Sequence, residues 1–186
     1  YFCTKEQTKT TETMKKTVLS LLALMTMSLS FAQSNQADEV LKTLRLANDY
    51  FMAKYADPTL PTNVKRVRPS SLWTRAVYYE GLMALYEIDQ DARYIDYTDR
   101  WGAFHKWTPR NGVKTNDADD QCCGQTYVDR YIQSGGEEKI KPIIENLNNQ
   151  MQTPNTQKPE AEGSLYGWWT WIDAIQMAMP LYMQIY

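Results

Sequence analysis

The chain has 186 residues, a length that corresponds to about one domain. Its 20 basic and 22 acidic side chains leave a formal charge of −2 without long single-sign runs, which excludes the basic face of a general nucleic-acid binder. Apolar residues at 43% and charged residues at 23% permit a packed core and exclude wholesale disorder, while one His and three Cys are too few for a Cys/His zinc site.

Tyr1–Thr13 is polar and has no apolar period, so residues 1–13 read as lying upstream of the true start. At Met14-Lys15-Lys16 the pattern changes to a basic start, an apolar run from Val18 to Leu29, and small residues at Ser30 and Ala32. That is the layout of a secretory signal peptide over residues 14–32, cleaved after Ala32. The run is too short to span a bilayer comfortably. A folded domain is expected over residues 33–186, exported to the periplasm or beyond, with Gln33 and not Cys directly after Ala32, where a lipid anchor would need a Cys. Cys122 and Cys123 are adjacent, with Cα atoms about 3.8 Å apart. This is below the usual disulfide spacing, so two packed thiols are expected.

Helix signals then recur. Ala37–Tyr55 carries Val40, Leu41, Leu44, Ala47, Phe51 and Met52 at three- and four-residue steps. Asp57–Pro69, with Pro58, Pro61 and Pro69, reads as a connection. Ser70 or Ser71 is placed to cap a helix over Leu72–Ile88, apolar almost all round and therefore expected to be buried. An amphipathic helix over Asp91–Trp107 follows, then a turn at Pro109-Arg110-Asn111-Gly112. Asp117 or a neighbour opens a helix to about Gln133, ended by Ser134-Gly135-Gly136. Glu137–Met151 is a more polar helix with Ile140, Ile143, Ile144 and Leu147 as its inward stripe. A final apolar helix is expected over Trp168–Ile185.

Apolar and amphipathic helices thus alternate. Gly81, Gly124 and Ala174 take comparable places, which suggests a weak repeat of about 43 to 50 residues, one helical hairpin each. The apolar helices would form an inner wall and the amphipathic ones an outer, solvated wall. The last helix carries no polar terminal unit, and such arrays need one to cover their ends, so the sequence reads as interrupted.

Two stretches could carry chemistry. Asn116–Gln125 (NDADDQCCGQ) places Asp117, Asp119 and Asp120 at the start of a helix. Capping accounts for one or two of these acids; a third is harder to place, because close like charges raise one another's pKa. Gly167–Pro180 (GWWTWIDAIQMAMP) sets Asp173 among three Trp, two Ile and two Met. A carboxyl in such a setting is either bonded structurally, or kept protonated as a donor beside aromatic plates that stack on a sugar. His105, at the end of an outer helix, is expected only to meet the helix dipole. There is no phosphate loop, no metal-ligand spacing, no cofactor motif and no Ser or Cys nucleophile motif.

The stretches Leu72–Tyr86 (LWTRAVYYEGLMALY), Asn116–Tyr131 (NDADDQCCGQTYVDRY) and Trp168–Pro180 (WWTWIDAIQMAMP) together resemble glycoside hydrolase families 88 and 105, the unsaturated uronyl and unsaturated rhamnogalacturonyl hydrolases. The resemblance runs from about residue 40 to the end. It implies an all-α, (α/α)6 barrel of the six-hairpin glycosidase type, of which this chain holds about the N-terminal half. It also implies hydrolysis of lyase-generated oligosaccharides from pectin or rhamnogalacturonan. An Asp protonates the C4=C5 double bond of the unsaturated uronate and assists attack of water at C5, and no cofactor takes part. By position, the principal acid/base matches Asp173, and the second Asp matches Asp119 or Asp120, with Asp119 favoured. Trp73, Tyr78, Tyr79 and Trp169 are the candidates for a sugar-stacking wall. The competing readings are an exported helical glycan-binding protein without catalysis, and an inactive fragment that exposes apolar inner helices and is poorly soluble alone.

Overall fold

In the computed structural model, which describes residues 36–153 and 172–186, helix dominates, as the recurring three- and four-residue apolar steps require. The two segments expected to precede the domain, residues 1–13 and 14–32, and the stacking candidate Trp169 lie outside the described residues. The chain divides into two units, Tyr1–Ala53 and Lys54–Tyr186. Residues 36–54 form helix α1, within a residue of the expected Ala37–Tyr55, and all but Lys54 of it belongs to the first unit. Its apolar stripe is covered only in part: Leu41, Phe51 and Met52 are half-buried, whereas Val40 and Leu44 are exposed.

The second unit opens with a correction. The proline-bearing connection contains a hairpin, β1 (Thr62–Val64) and β2 (Arg66–Arg68), antiparallel with Thr62 opposite Arg68 and Asn63 opposite Val67. Lys65 makes the tight turn with φ of 59°. Pro61 and Pro69 do not break the strands, because both lie just outside the paired residues, where no ladder N–H is needed.

Four longer helices follow: α2 (Trp73–Ile88), α3 (Ala92–Phe104), α5 (Cys123–Ser134) and α6 (Glu137–Gln152), with a single turn, α4 (Ala118–Gln121), before α5 and a last helix, α7 (Asp173–Ile185). Their packing partners give the hairpin order. Helix α2 lies against α3 and α5, and α5 lies against α6 and α7. Thus α2, α5 and α7 form the inner series, and α3 and α6 the outer one. This is an all-α hairpin architecture of the (α/α) barrel class.

The ends of the helices follow local chemistry. Asp91 caps α3 by accepting the Arg93 N–H at 2.9 Å. The chain turns at residues 109–112 through a Gly112 N–H bond to Pro109 O, with Asn111 and Gly112 at positive φ. Gly135 and Gly136, at φ of 68° and 98°, end α5 as expected. The cap of α2 is not the expected one. The N-cap position is Leu72, without a side-chain bond. The Ser70 hydroxyl instead donates to Thr59 O at 2.8 Å, which ties the hairpin loop to the helix.

The two mid-helix glycines, similar in sequence, differ in role. A Cβ at Gly124 would lie 2.7 Å from Leu181 Cδ2 and 3.2 Å from Ile143 Cδ1, so the absent side chain is what lets α7 and α6 close on α5. A Cβ at Gly81 would meet nothing within 4 Å. The face of α2 that holds Val77, Gly81 and Ala84 is exposed, so α2 is not buried all round.

The aromatic excess is used in the core between the inner and outer helices. Tyr79 stacks on Trp101 with centroids 3.9 Å apart and planes 15° from parallel. Trp101 meets Tyr127 at 5.3 Å, and Tyr127 meets Trp107 at 5.2 Å. Each such pair adds about 0.5–1.5 kcal/mol beyond its buried area. Two of the polar ends are satisfied: Trp101 Nε1 donates to Ser70 O at 2.9 Å and Tyr97 Oη to Tyr55 O at 2.6 Å.

Polar ties supplement this core. The guanidinium of buried Arg130 in α5 holds Asp99 of α3 through two bonds, 2.7 and 2.9 Å. The expected apolar stripe of α6 is present, with Ile143 and Leu147 buried and Ile140 and Ile144 half-buried, but Asn146 and Gln150 are buried beside it. Gln121 Nε2 donates to Asn146 Oδ1 and Gln150 Oε1, and Asn146 Nδ2 donates to the carbonyls of Val113 and Thr115. Asn149 Nδ2 also reaches Val113 O, and Tyr182 Oη donates to Gln150 Oε1. These amides join α4, α6, α7 and the segment before α4. Cys122 and Cys123 are buried free thiols, as their adjacency predicts.

Candidate active site

Asp117 begins the acidic stretch as the N-cap of α4, its carboxylate accepting the Asp119 N–H at 3.0 Å. The following two acids then diverge, because the single turn of α4 points them in different directions.

Asp120 turns inward. Its side chain accepts from Thr115 Oγ1 at 2.6 Å, Asn111 Nδ2 at 2.9 Å and Arg110 Nη1 at 3.5 Å, and its backbone carbonyl accepts the Arg110 N–H. Burial raises its pKa, while the Thr115 and Asn111 bonds pull it back down. The alternative in which Asp120 serves as the second acid is therefore corrected: it is 2% exposed and its oxygens are taken. It acts as a clasp that fixes residues 110–115.

Asp119 stays half-exposed at the surface of the same turn. Burial, followed by the charges of Asp117, Asp173 and Asp120, raises its pKa. The contribution of Asp173 is the informative one, since that residue is remote in sequence. Helix α7 packs on α4 and starts at Asp173, which brings the two carboxylates into one electrostatic neighbourhood.

The burial expected of Asp173 is not found: the residue is exposed. The buried side of α7 is set by Ala174, Met177, Ala178 and Leu181, and helical geometry turns Asp173 and Gln176 away from it. Trp169 and the adjacent tryptophans of the motif lie outside the described residues. It is Asp119 that has the more enclosed setting. Ile172, Ile175, Met179 and Met183 continue the exposed side of α7, with Ile172 at 84% and Met183 at 78% exposure.

The candidate stacking residues separate as well. Tyr79, at 0% exposure and stacked on Trp101, belongs to the core and cannot meet a ligand, which corrects that assignment. Tyr78 is half-buried edge-on to Tyr79 and to Tyr97 of the outer helix α3, and burial raises its pKa. Trp73 is half-buried in the first turn of α2.

His105 does more than face a helix dipole. It is half-buried, and burial followed by the Arg75 charge lowers its pKa, which favours the neutral ring. Its Nε2 lies 2.9 Å from Ser70 Oγ. Because the Ser70 proton is donated to Thr59 O, the ring nitrogen supplies the proton in this contact, the reverse of what an activated serine requires.

One acidic group was missed in the sequence. Glu80 of α2 accepts from Cys122 Sγ at 3.0 Å through Oε1 and from Gln176 Nε2 at 2.7 Å through Oε2. Glu80, Glu87 and Asp129 line a groove of about 620 Å³ between α2 and α5. Nothing in the spacing of Glu80 marks it, since its partners come from the junction of α4 and α5 and from α7.

Within this groove burial, reinforced by Glu87 and Glu80, pushes Asp129 up to about 6 from an ordinary 3.8. The unfolded chain then gives up its proton first, so the folded state loses relative stability as pH rises from about 4 through 6. Asp129→Asn is expected to raise Tm at pH 7.5 and to change it little at pH 3.5, read by circular dichroism melts. Equal changes at both pH values would show that Asp129 is not the titrating group.

Among the described residues, no group of three or more His, Cys, Asp or Glu is placed to hold a metal ion, and no helix is long and apolar enough to cross a membrane.

Comparison with known proteins bears on the family and the fold. The sequence pattern of Glycosyl Hydrolase Family 88 matches residues 43–186. No curated protein matches. Among solved structures, a glycosyl hydrolase family 88 protein from Bacteroides vulgatus superimposes with a TM-score of 0.63 at 24% identity, over 80% of this chain and 41% of that one. A protein described as a polysaccharide lyase superimposes with a TM-score of 0.62 at 25% identity, over 80% of this chain and 40% of the other. The chain thus spans about two fifths of the length of these two structures.

Proposed function

This chain belongs to glycosyl hydrolase family 88, and from that premise we propose that the full-length protein hydrolyses unsaturated uronyl oligosaccharides left by polysaccharide lyases, such as those from pectin or rhamnogalacturonan. Asp173 serves as the principal acid/base and Asp119 as its partner. The observation that supports this pairing is electrostatic: the charge of Asp173 helps raise the pKa of Asp119, although the two lie on separate helices. A carboxyl whose pKa is raised by a neighbouring carboxylate is placed to share acid/base work with it.

The reaction suits such a pair. The substrate carries a C4=C5 enol ether in its terminal uronate. One carboxyl protonates C4, the other orients water toward C5, and the resulting hemiketal opens to release the neighbouring sugar. Nothing in this sequence of events depends on displacement at the anomeric carbon, so the separation of the carboxylates does not report retention or inversion. Trp73, Trp169 and, by its half-exposed edge, Tyr78 are the aromatic groups assigned to the sugar. Export through the leader at residues 14–32 belongs to the same proposal, since lyase products of plant or microbial polysaccharides arise outside the cytoplasm.

A second reading is lyase chemistry, favoured by the structural neighbour described as a polysaccharide lyase. One assay separates the two. The full-length protein, incubated with an unsaturated uronyl disaccharide, is expected to remove the ultraviolet absorbance of the double bond. A rise in absorbance on intact polysaccharide would identify a lyase. Sugar binding with no change in absorbance on either substrate would leave a glycan-binding protein.

A further inference from the structure

We propose that Glu80 is a positioning residue that sets the separation of Asp119 and Asp173 by bridging the two helical segments that carry them. The inference rests on the reading of those aspartates as the reacting pair. Its basis is a correspondence of place. Cys122 follows Asp119 by three residues, and Gln176 follows Asp173 by three, a spacing that sets each partner close to its aspartate along a helical turn. The Glu80 carboxylate accepts from both: Cys122 Sγ reaches Oε1 at 3.0 Å and Gln176 Nε2 reaches Oε2 at 2.7 Å. Each oxygen of one rigid, planar group is therefore held by a different aspartate-bearing segment.

The bridge has work to do. Asp119 and Asp173 repel each other when both are ionised, and Ile172 and Asp173 at the start of α7 are exposed. Another tie among the described residues, Gln125 Nε2 to the carbonyls of Gln176 and Met177, holds the backbone of the same turn of α7. It limits sliding of α7 but does not reach α2. Glu80 supplies the third point, anchored on a helix that carries neither aspartate. With both oxygens engaged, it is not itself a proton donor to substrate. Misplacing reacting groups by about 1 Å can cost on the order of 10²-fold in rate, so a bridge of this kind acts on kcat.

The test uses the full-length protein. Glu80→Leu removes both acceptor oxygens, and Gln176→Leu, at an exposed position, removes one donor with little risk to folding. On an unsaturated uronyl disaccharide each is expected to lower kcat about tenfold or more, with KM within about twofold of the parent. The double variant is expected to be no worse than Glu80→Leu alone, because both changes break one bridge. Glu80→Gln keeps the length and one acceptor oxygen, and should recover much of the loss. Independent additive losses, or unchanged kcat in Gln176→Leu, overturn the proposal.

A second readout does not depend on activity. Spin labels at Asn116→Cys and Ile172→Cys, both exposed, report the distance between the two segments. The distribution should broaden in Gln176→Leu and Glu80→Leu and stay narrow in the parent. If the parent fails to act on the disaccharide, the proposed function falls while the distance measurement still decides the bridge. An unchanged distribution overturns it whatever the kinetics show.

Discussion

Asp173→Asn in the full-length protein is expected to abolish removal of the unsaturated uronyl chromophore, a fall of at least about 10³-fold in kcat, with the far-ultraviolet circular dichroism unchanged. Folding is spared because Asp173 is exposed and no described hydrogen bond of the fold depends on its carboxylate, so the loss would be chemical. Asp119→Asn is expected to lower kcat about 10²-fold, since orienting water contributes less than supplying the proton. The pairing can also be read without substrate. The charge of Asp173 is one of the causes that raise the pKa of Asp119, so in Asp173→Asn the Asp119 carboxyl should titrate at lower pH than in the parent, by carboxyl-carbon NMR. A fully active Asp173→Asn protein would refute its assignment as the acid. An Asp119 titration that does not move would refute the shared site.

The helical hairpins were legible because their signal is local and repeated. The three- and four-residue apolar steps placed α2, α3 and α6 to within a few residues, and Asp117, Asp91 and Gly135 marked ends that depend only on neighbouring backbone. The hairpin at Thr62–Arg68 escaped because three prolines dominated the segment, and the fact that two of them flank the paired residues is a matter of register. Asp119 and Asp120 could not be separated in sequence, being adjacent. Only the positions of Asn111 and Thr115 show that Asp120 is consumed in holding a loop. The aromatic residues misled for a related reason. Tyr79 in an apolar helix fits a sugar platform and a core stack equally well, and the choice is made by Trp101 on another helix. Glu80 was invisible for the same cause, as its role is defined by Cys122 and Gln176, neither of which is its neighbour in sequence.

The buried amides of α6 give the second large effect. Asn146 is 0% exposed and makes three side-chain bonds, accepting from Gln121 Nε2 and donating to the carbonyls of Val113 and Thr115. In Asn146→Ala the Val113 carbonyl keeps Asn149 and the Gln121 amide keeps Gln150, but the Thr115 carbonyl loses a donor and a cavity opens beside Leu147. Leaving a buried polar group unsatisfied costs about 1–3 kcal/mol, and with the cavity the expected loss is about 2–4 kcal/mol. The effect should spread toward the site by a definite route. Thr115 Oγ1 is a donor to Asp120, and Asp120 fixes the turn that presents Asp119. Hydrogen exchange should therefore accelerate at residues 110–122 before it does in α3, and kcat should fall while α2 and α3 keep their protection. Asn146→Asp, close in shape but with both amide donors replaced by acceptors facing two carbonyls, should be worse than alanine at pH 7 and recover on acidification. Uniform loss of protection across α2, α3 and α5 would mean that the amides stabilise the whole unit and do not single out the loop that orders the acidic turn.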